Sequence, residues 1–147
     1  MFMNDRQQME LKKKICRVQN KLSKIEGIEL LEMAQLNQFD LRVMEASGVY
    51  DEDREPDVII PYGTDTDTLA AKLIDLIGIE NGQVWYMLLD ELIVGVKILD
   101  EKYAMLGMLK TDMNKAIMLI SEDKKKLYDF GLDSRGDDYI FDVYDLK

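Results

Sequence analysis

Histidine is absent from this chain of 147 residues, and cysteine occurs only once, at Cys16. Without histidine the chain cannot carry Ser–His or Cys–His catalysis or a histidine-ligated metal site. A single cysteine cannot form an internal disulfide, which is typical of a protein from a reducing compartment. Carboxylate chemistry, with or without Mg²⁺, is the catalytic class that remains open.

Long apolar runs are also missing. The longest apolar region, residues 84–99, is interrupted by Asp90, Glu91 and Lys97, and no stretch reaches the roughly 18 apolar residues that span a bilayer. The charged N-terminus lacks the apolar segment of a secretory signal. We therefore expect a cytoplasmic protein with no membrane association. The length suits a single domain over residues 1–147, which we divide into a helical arm (1–48) and an α+β body (58–147).

What the chain does have is negative charge, with a formal net charge of −10. The charge is uneven: residues 1–24 contain seven Lys/Arg and two Asp/Glu, whereas residues 25–147 contain twelve Lys/Arg and 27 Asp/Glu. Such a body should repel nucleic acid and anionic lipid and attract a basic protein. Solubility alone would equally explain an acidic composition.

The basic N-terminal segment has the pattern of an amphipathic helix. Apolar residues recur at spacings of 4, 3, 4 and 3, which is a heptad seam formed by Leu11, Ile15, Val18, Leu22 and Ile25. Two interpretations remain open. The helix docks by this stripe on the acidic body, or it is an arm through which the protein forms a homodimer.

Apolar spacing predicts a second helix over residues 28–47, so that the chain begins with a helical hairpin. A short strand at 58–60, a helix at 67–78, a region at 84–99 that favours strands, and a helix at 100–112 follow. The last third predicts three consecutive antiparallel strands. The predicted class is α+β, with an N-terminal helical hairpin, a mixed centre and a C-terminal three-stranded antiparallel meander.

Two acidic clusters are candidates for function. Residues 51–57 carry five carboxylates and one arginine, and they predict either a solvated linker or a contact surface for a basic partner, formed by Asp51, Glu52, Asp53, Glu55 and Asp57. Asp65 and Asp67 could hold Mg²⁺, but a helix begins directly after them. Aspartates and threonines at such a position favour helix capping. We therefore predict no metal, no cofactor and no catalytic residue.

The stretch "AIMLISEDKKKLYDFGLDSRGDDYIFDVYDL" (residues 116–146) resembles the end of the SUKH superfamily, bacterial toxin-immunity proteins with an α+β fold. The resemblance covers about thirty residues and rests on strand, polar turn, aromatic strand with Asp129, glycine-bearing turn and final strand. It implies a non-enzymatic protein that binds and neutralises a toxin. It assigns no binding residues.

The residues thus lead to one main functional hypothesis and two others. The main hypothesis is a small acidic, non-enzymatic protein that inhibits a basic partner, such as a toxin, a nuclease or a nucleic-acid-binding protein. The alternative is an assembly subunit that oligomerises through the heptad helix. A Mg²⁺-dependent carboxylate enzyme centred on Asp65 and Asp67 has the least support.

Overall fold

The computed structural model describes residues 4–49, 51, 54–111, 115–133 and 138–146. These residues form four helices and seven strands, in the order α1 (Asp5–Leu22), β1 (Ile28–Gln35), α2 (Gln38–Ala46), β2 (Val58–Ile60), α3 (Thr66–Ile77), β3 (Val84–Leu89), β4 (Leu92–Ile98), α4 (Glu101–Lys110), β5 (Ile117–Ser121), β6 (Lys126–Leu132) and β7 (Tyr139–Asp145). The predicted α+β class is confirmed. Within the described residues, no helix is long and apolar enough to cross a membrane.

The strands form one seven-stranded sheet in the order β1-β4-β3-β5-β6-β7-β2, and every neighbouring pair is antiparallel. Strands β5, β6 and β7 pair antiparallel in sequence order, as predicted, but the prediction of a three-stranded C-terminal meander is wrong, because these strands belong to the seven-stranded sheet. Strand β3 pairs with β5, and β2 pairs with β7. Pairing between strands that lie far apart in the chain leaves no local signal in sequence periodicity. The sequence pattern therefore predicts fewer paired strands than the seven in the sheet.

The predicted N-terminal helical hairpin is also wrong. Residues 28–35 are strand β1, and only the shorter segment Gln38–Ala46 is helical. Strand β1 pairs along its length with β4, for example Met33 with Val94. The apolar spacing of residues 28–47 fits a helix, but cross-strand pairing with a β-branched neighbour overrides that weak local preference.

The preference for strands in residues 84–99 is confirmed, since β3 and β4 form a hairpin. Its two turn residues, Asp90 and Glu91, have φ angles of 48° and 66°. Positive φ at both central positions is the geometry of a type I′ turn, the two-residue connection that matches the right-handed twist of the flanking strands. The connection is therefore tight, and it projects two carboxylates from the end of the hairpin.

The sheet is covered on both faces. One face, here called the helical face, packs against α1, α3 and α4 and carries the main core, which includes Val18, Leu69, Leu73, Val94, Val96, Met105, Leu119 and Phe141. The opposite face, called the α2 face, carries a smaller cluster formed by Met44, Val49, Ile120, Leu127 and Tyr144. Neighbouring residues such as Leu119 and Ile120 serve opposite faces because strand side chains alternate.

Candidate functional site

The acidic segment 51–57 is tied to the sheet at Asp57. The Asp57 carboxylate accepts hydrogen bonds from the Val143 backbone N–H (2.8 Å) and from the Arg54 guanidinium (3.0 Å). The hydrogen bond from Val143 lowers the pKa of Asp57, and Arg54 lowers it further. Asp51 and Glu55 are exposed, whereas Glu52 and Asp53 lie outside the described residues. Asp57 therefore acts as an anchor in this fold, and the role of the segment in partner binding stays a prediction.

Arg54 strengthens the same anchor. Its Nη2 donates to the Val143 carbonyl at 2.9 Å, and its guanidinium carbon lies 4.4 Å from the centroid of the Tyr144 ring. Its Nε is buried and lies 3.6 Å from Asp142 Oδ1, too far for a hydrogen bond, and no other residue that the structure describes accepts from it. Asp142 Oδ1 instead accepts from the Asp57 backbone N–H at 3.0 Å. The segment before β2 is thus held on β7 by charge-assisted hydrogen bonds.

A second carboxyl group joins this cluster from β6. Asp129 lies opposite Asp142 in the register of β6 and β7. Burial, and then the charge of Asp142, raise the pKa of Asp129 to about 6. Burial and the nearby carboxylates likewise raise the pKa of Tyr144 to about 12. Asp129 and Asp142 line none of the three cavities that the described residues form beside α3, α2 and the start of α3.

The heptad seam of α1 packs into the core of its own chain. Val18, Leu22 and Ile25 are buried, and Leu11 and Ile15 are half-buried against the same core. Two lysines one heptad apart, on the same side of the seam, reach the β3–β4 turn through ion pairs of Lys14 with Glu91 (2.7 Å) and Lys21 with Asp90 (3.3 Å). The docked-helix interpretation agrees with this packing. Oligomerisation through the seam stays a prediction, and it would require α1 to leave the core.

Asp65 is the N-cap of α3. Its carboxylate accepts from the Thr68 backbone N–H at 3.1 Å and from the Thr68 hydroxyl at 2.6 Å. These hydrogen bonds, the hydroxyl first, lower the pKa of Asp65. The capping interpretation is therefore confirmed. Among the residues that the structure describes, no group of three or more His, Cys, Asp or Glu side chains is placed to hold a metal ion.

Asp67 belongs instead to a cleft beside α3 and the start of α4. The cleft has a volume of about 630 Å³ and is lined by Asp67, Ala70, Ala71, Ile74, Asp75, Gly78, Ile79, Glu80, Glu101 and Lys102. Four carboxylates and one ammonium group therefore border a surface lined by alanine, isoleucine and glycine residues. Sequence reasoning missed this cleft, because Glu101 and Lys102 join the three carboxylates of residues 67–80 only when α4 packs against α3.

A second cavity, of about 310 Å³, lies between α2 and the sheet. Its walls are mostly apolar and are formed by Leu36, Asp40, Val43, Met44, Ile93, Ile120, Lys124, Lys125 and Leu146. A third, of about 450 Å³, lies beside the start of α3 and includes Tyr62, Asp65, Lys115 and Tyr139. Neither has the concentration of carboxylates found in the α3–α4 cleft, so that cleft is the candidate binding site.

Comparison of the chain with protein-family models, curated proteins and solved structures gives no match.

Proposed function

We propose that this chain is a small acidic, non-enzymatic protein that binds and inhibits a basic partner protein. The observation that carries the proposal is the α3–α4 cleft, where Asp67, Asp75, Glu80 and Glu101 surround a concave surface that contains one lysine. The SUKH resemblance of residues 116–146 implies the same kind of role. The proposal includes a cytoplasmic location.

The chemistry of the cleft suits lysine and arginine side chains. These side chains carry a cationic head on an apolar stem, so the stem can contact apolar surface while the head pairs with a carboxylate. The stem can lie on Ala71 and Ile74, while the head meets Asp75 or Glu80 at the rim. In a partner that acts on nucleic acid, such carboxylates would occupy the positions that phosphates normally fill.

Charge also governs how fast such a complex forms. Lys14 and Lys21 of α1 form ion pairs with Glu91 and Asp90, so part of the positive charge of the N-terminal segment is neutralised within the chain. The remaining acidic surface would attract a basic partner from a distance and raise the association rate. Binding should therefore weaken steeply as salt screens these charges.

The proposal is tested by affinity capture from a lysate of the source organism, with washes at about 50 mM and about 500 mM NaCl. Asp75→Lys combined with Glu80→Lys reverses the charge of the cleft, and Glu45→Lys reverses an exposed charge on α2 as the matched control. We expect a basic protein that is lost at high salt and with the cleft variant, yet retained by the control. Capture that is insensitive to salt and to the cleft charges would contradict the proposal.

A further inference from the structure

The two edges of the sheet are protected very differently. Strand β2 is three residues long, and the only two prolines of the chain, Pro56 and Pro61, flank it. Short length and proline are common means of preventing an edge strand from pairing with another chain. Strand β1 at the opposite edge has eight residues and contains neither proline nor lysine. The longer edge is thus the less protected one.

Strand β1 also exposes apolar side chains. Leu30 and Leu31 are 44% and 48% exposed, and every residue from Glu29 to Glu32 is exposed. A bulge accounts for two adjacent leucines: Leu30 pairs with Val96 and Glu32 with Gly95, which leaves Leu31 as the extra residue. Covering these leucines with a further strand would remove apolar surface from water.

The bulge also places two carboxylates on one face. Glu29 lies opposite Lys97 and Glu32 opposite Gly95, two positions apart on β4, so both glutamates belong to the α2 face. Without the extra residue, side chains three apart would lie on opposite faces. Leu30 lies opposite Val96, a core residue of the helical face. The edge therefore presents acidic groups on one face and an apolar group on the other.

This arrangement selects the partner. In a second copy of this chain paired along the same edge, the register that sets Glu29 opposite Glu32 would place like charges across from each other, which is destabilising. We infer that the outer edge of β1 pairs with an extended segment of a partner chain in which lysine or arginine alternates with apolar residues. Its cations would meet Glu29 and Glu32 on the α2 face, and its apolar side chains would cover Leu30. The inference rests on the proposed function and specifies how a basic partner is held.

The probe is a capped eight-residue peptide that alternates lysine with valine or threonine. It is added to isotope-labelled protein at low salt, and backbone amide shifts and hydrogen exchange are followed by NMR. We expect the amides of β1 to gain protection. The same peptide with alternate backbone nitrogens methylated cannot add a strand, so it should bind at least about tenfold more weakly.

The matched protein variants are Glu29→Lys at the β1 edge and Glu55→Lys near the β2 edge, since both residues are exposed. Glu29 is preferred to Glu32, because the side chain of Glu32 leans over Gly95 towards the Tyr86 ring. Glu29→Lys should weaken peptide binding about tenfold, and Glu55→Lys should leave it within about twofold.

Three results would overturn the inference, and they differ in what they mean for the proposed function. Amide shifts at the α3–α4 cleft without protection of β1 would refute edge pairing and support a cleft that binds cations. Equal binding of the methylated peptide would show that the backbone of β1 is not used. Absence of any binding would refute edge pairing, while the capture experiment above decides the proposed function independently.

Discussion

Asp129 on β6 lies directly opposite Asp142 on β7, so two carboxyl groups share the α2 face of the sheet next to Arg54. Asp142 is 6% exposed and accepts a hydrogen bond from the Asp57 backbone N–H. Among the described residues none donates a hydrogen bond of this kind to Asp129, and its pKa rises to about 6 because of burial and the charge of Asp142. Ionised Asp129 is therefore a cost to the folded state at neutral pH.

The pKa of Asp129 predicts a pH dependence of stability. Its folded value of about 6 exceeds the ordinary value of 3.8, so between these pH values the folded state binds the proton more tightly. The contribution of this group to the free energy of unfolding then falls as pH rises from about 4 to about 6 and stays level above that range. A difference of this size corresponds to about 3 kcal/mol.

Asp129→Asn mimics the protonated carboxyl group at every pH. We expect the variant to match the wild type near pH 4 and to be more stable by up to about 3 kcal/mol at pH 8. Urea unfolding at both pH values measures this difference, with exposed Glu45→Gln as the control. A difference that is the same at both pH values would contradict the assignment.

Asp57 should matter to stability, unlike its neighbour in the same acidic segment. Asp57→Asn weakens charge-assisted hydrogen bonds to Val143 and Arg54 at a side chain that is 43% exposed, so we expect the free energy of unfolding to fall by about 1 kcal/mol. Because the pKa of Asp57 is lowered, its contribution is present at neutral pH and is lost as the pH falls below 3.8. Glu55→Gln, which changes an exposed carboxylate, should be nearly neutral in the same urea unfolding experiment. Equal effects of the two substitutions would refute the distinction.

Leu22 tests whether the heptad seam serves the core or an oligomer. Leu22→Ala removes a side chain that is 5% exposed, and we expect a loss of about 2 to 4 kcal/mol. If the seam packs within one chain, the unfolding midpoints of wild type and variant do not change over about a hundredfold range of protein concentration. Cys16→Ala, at an exposed position of α1, is the control. Midpoints that rise with concentration would favour assembly through α1.

Gly107 tests a close approach between α4 and the segment after α1. A Cβ at this position would lie 2.7 Å from Ile25 Cγ2 and 3.0 Å from Ile25 Cα. Alanine improves helix propensity by about 1 kcal/mol, but the contact with a backbone atom cannot easily relax. Gly107→Ala should therefore destabilise the protein by about 1 to 3 kcal/mol. Gly131→Ala, whose Cβ would meet Ala116 at an ordinary 3.7 Å, should have little effect in the same urea titration. A stabilised Gly107→Ala variant would refute this packing.

Sequence patterns predicted the helices and strands whose bounds depend on residues close together in the chain. The start of α3 follows from the side chain of Asp65 and its end from Gly78, which has a φ of 81°. Caps and left-handed C-terminal residues act within one helical turn, so sequence alone reveals them. Alternating residues such as Val94 and Val96 likewise indicated β4, since the two faces of a strand differ every second residue.

Contacts between distant segments decided what the patterns left open or misjudged. Residues 28–35 form a strand because they pair with β4. Asp57 anchors its segment because the Val143 backbone N–H donates a hydrogen bond to its carboxylate. The α3–α4 cleft exists only after packing brings Asp75 near Glu101. The sequence by itself determined the acidic charge, the α+β class and the capped helix, because these depend on composition and on neighbours in the chain. The tertiary structure alone decided the strand order, the exposed edge of β1 and the raised pKa of Asp129, because burial and pairing depend on residues far away in sequence.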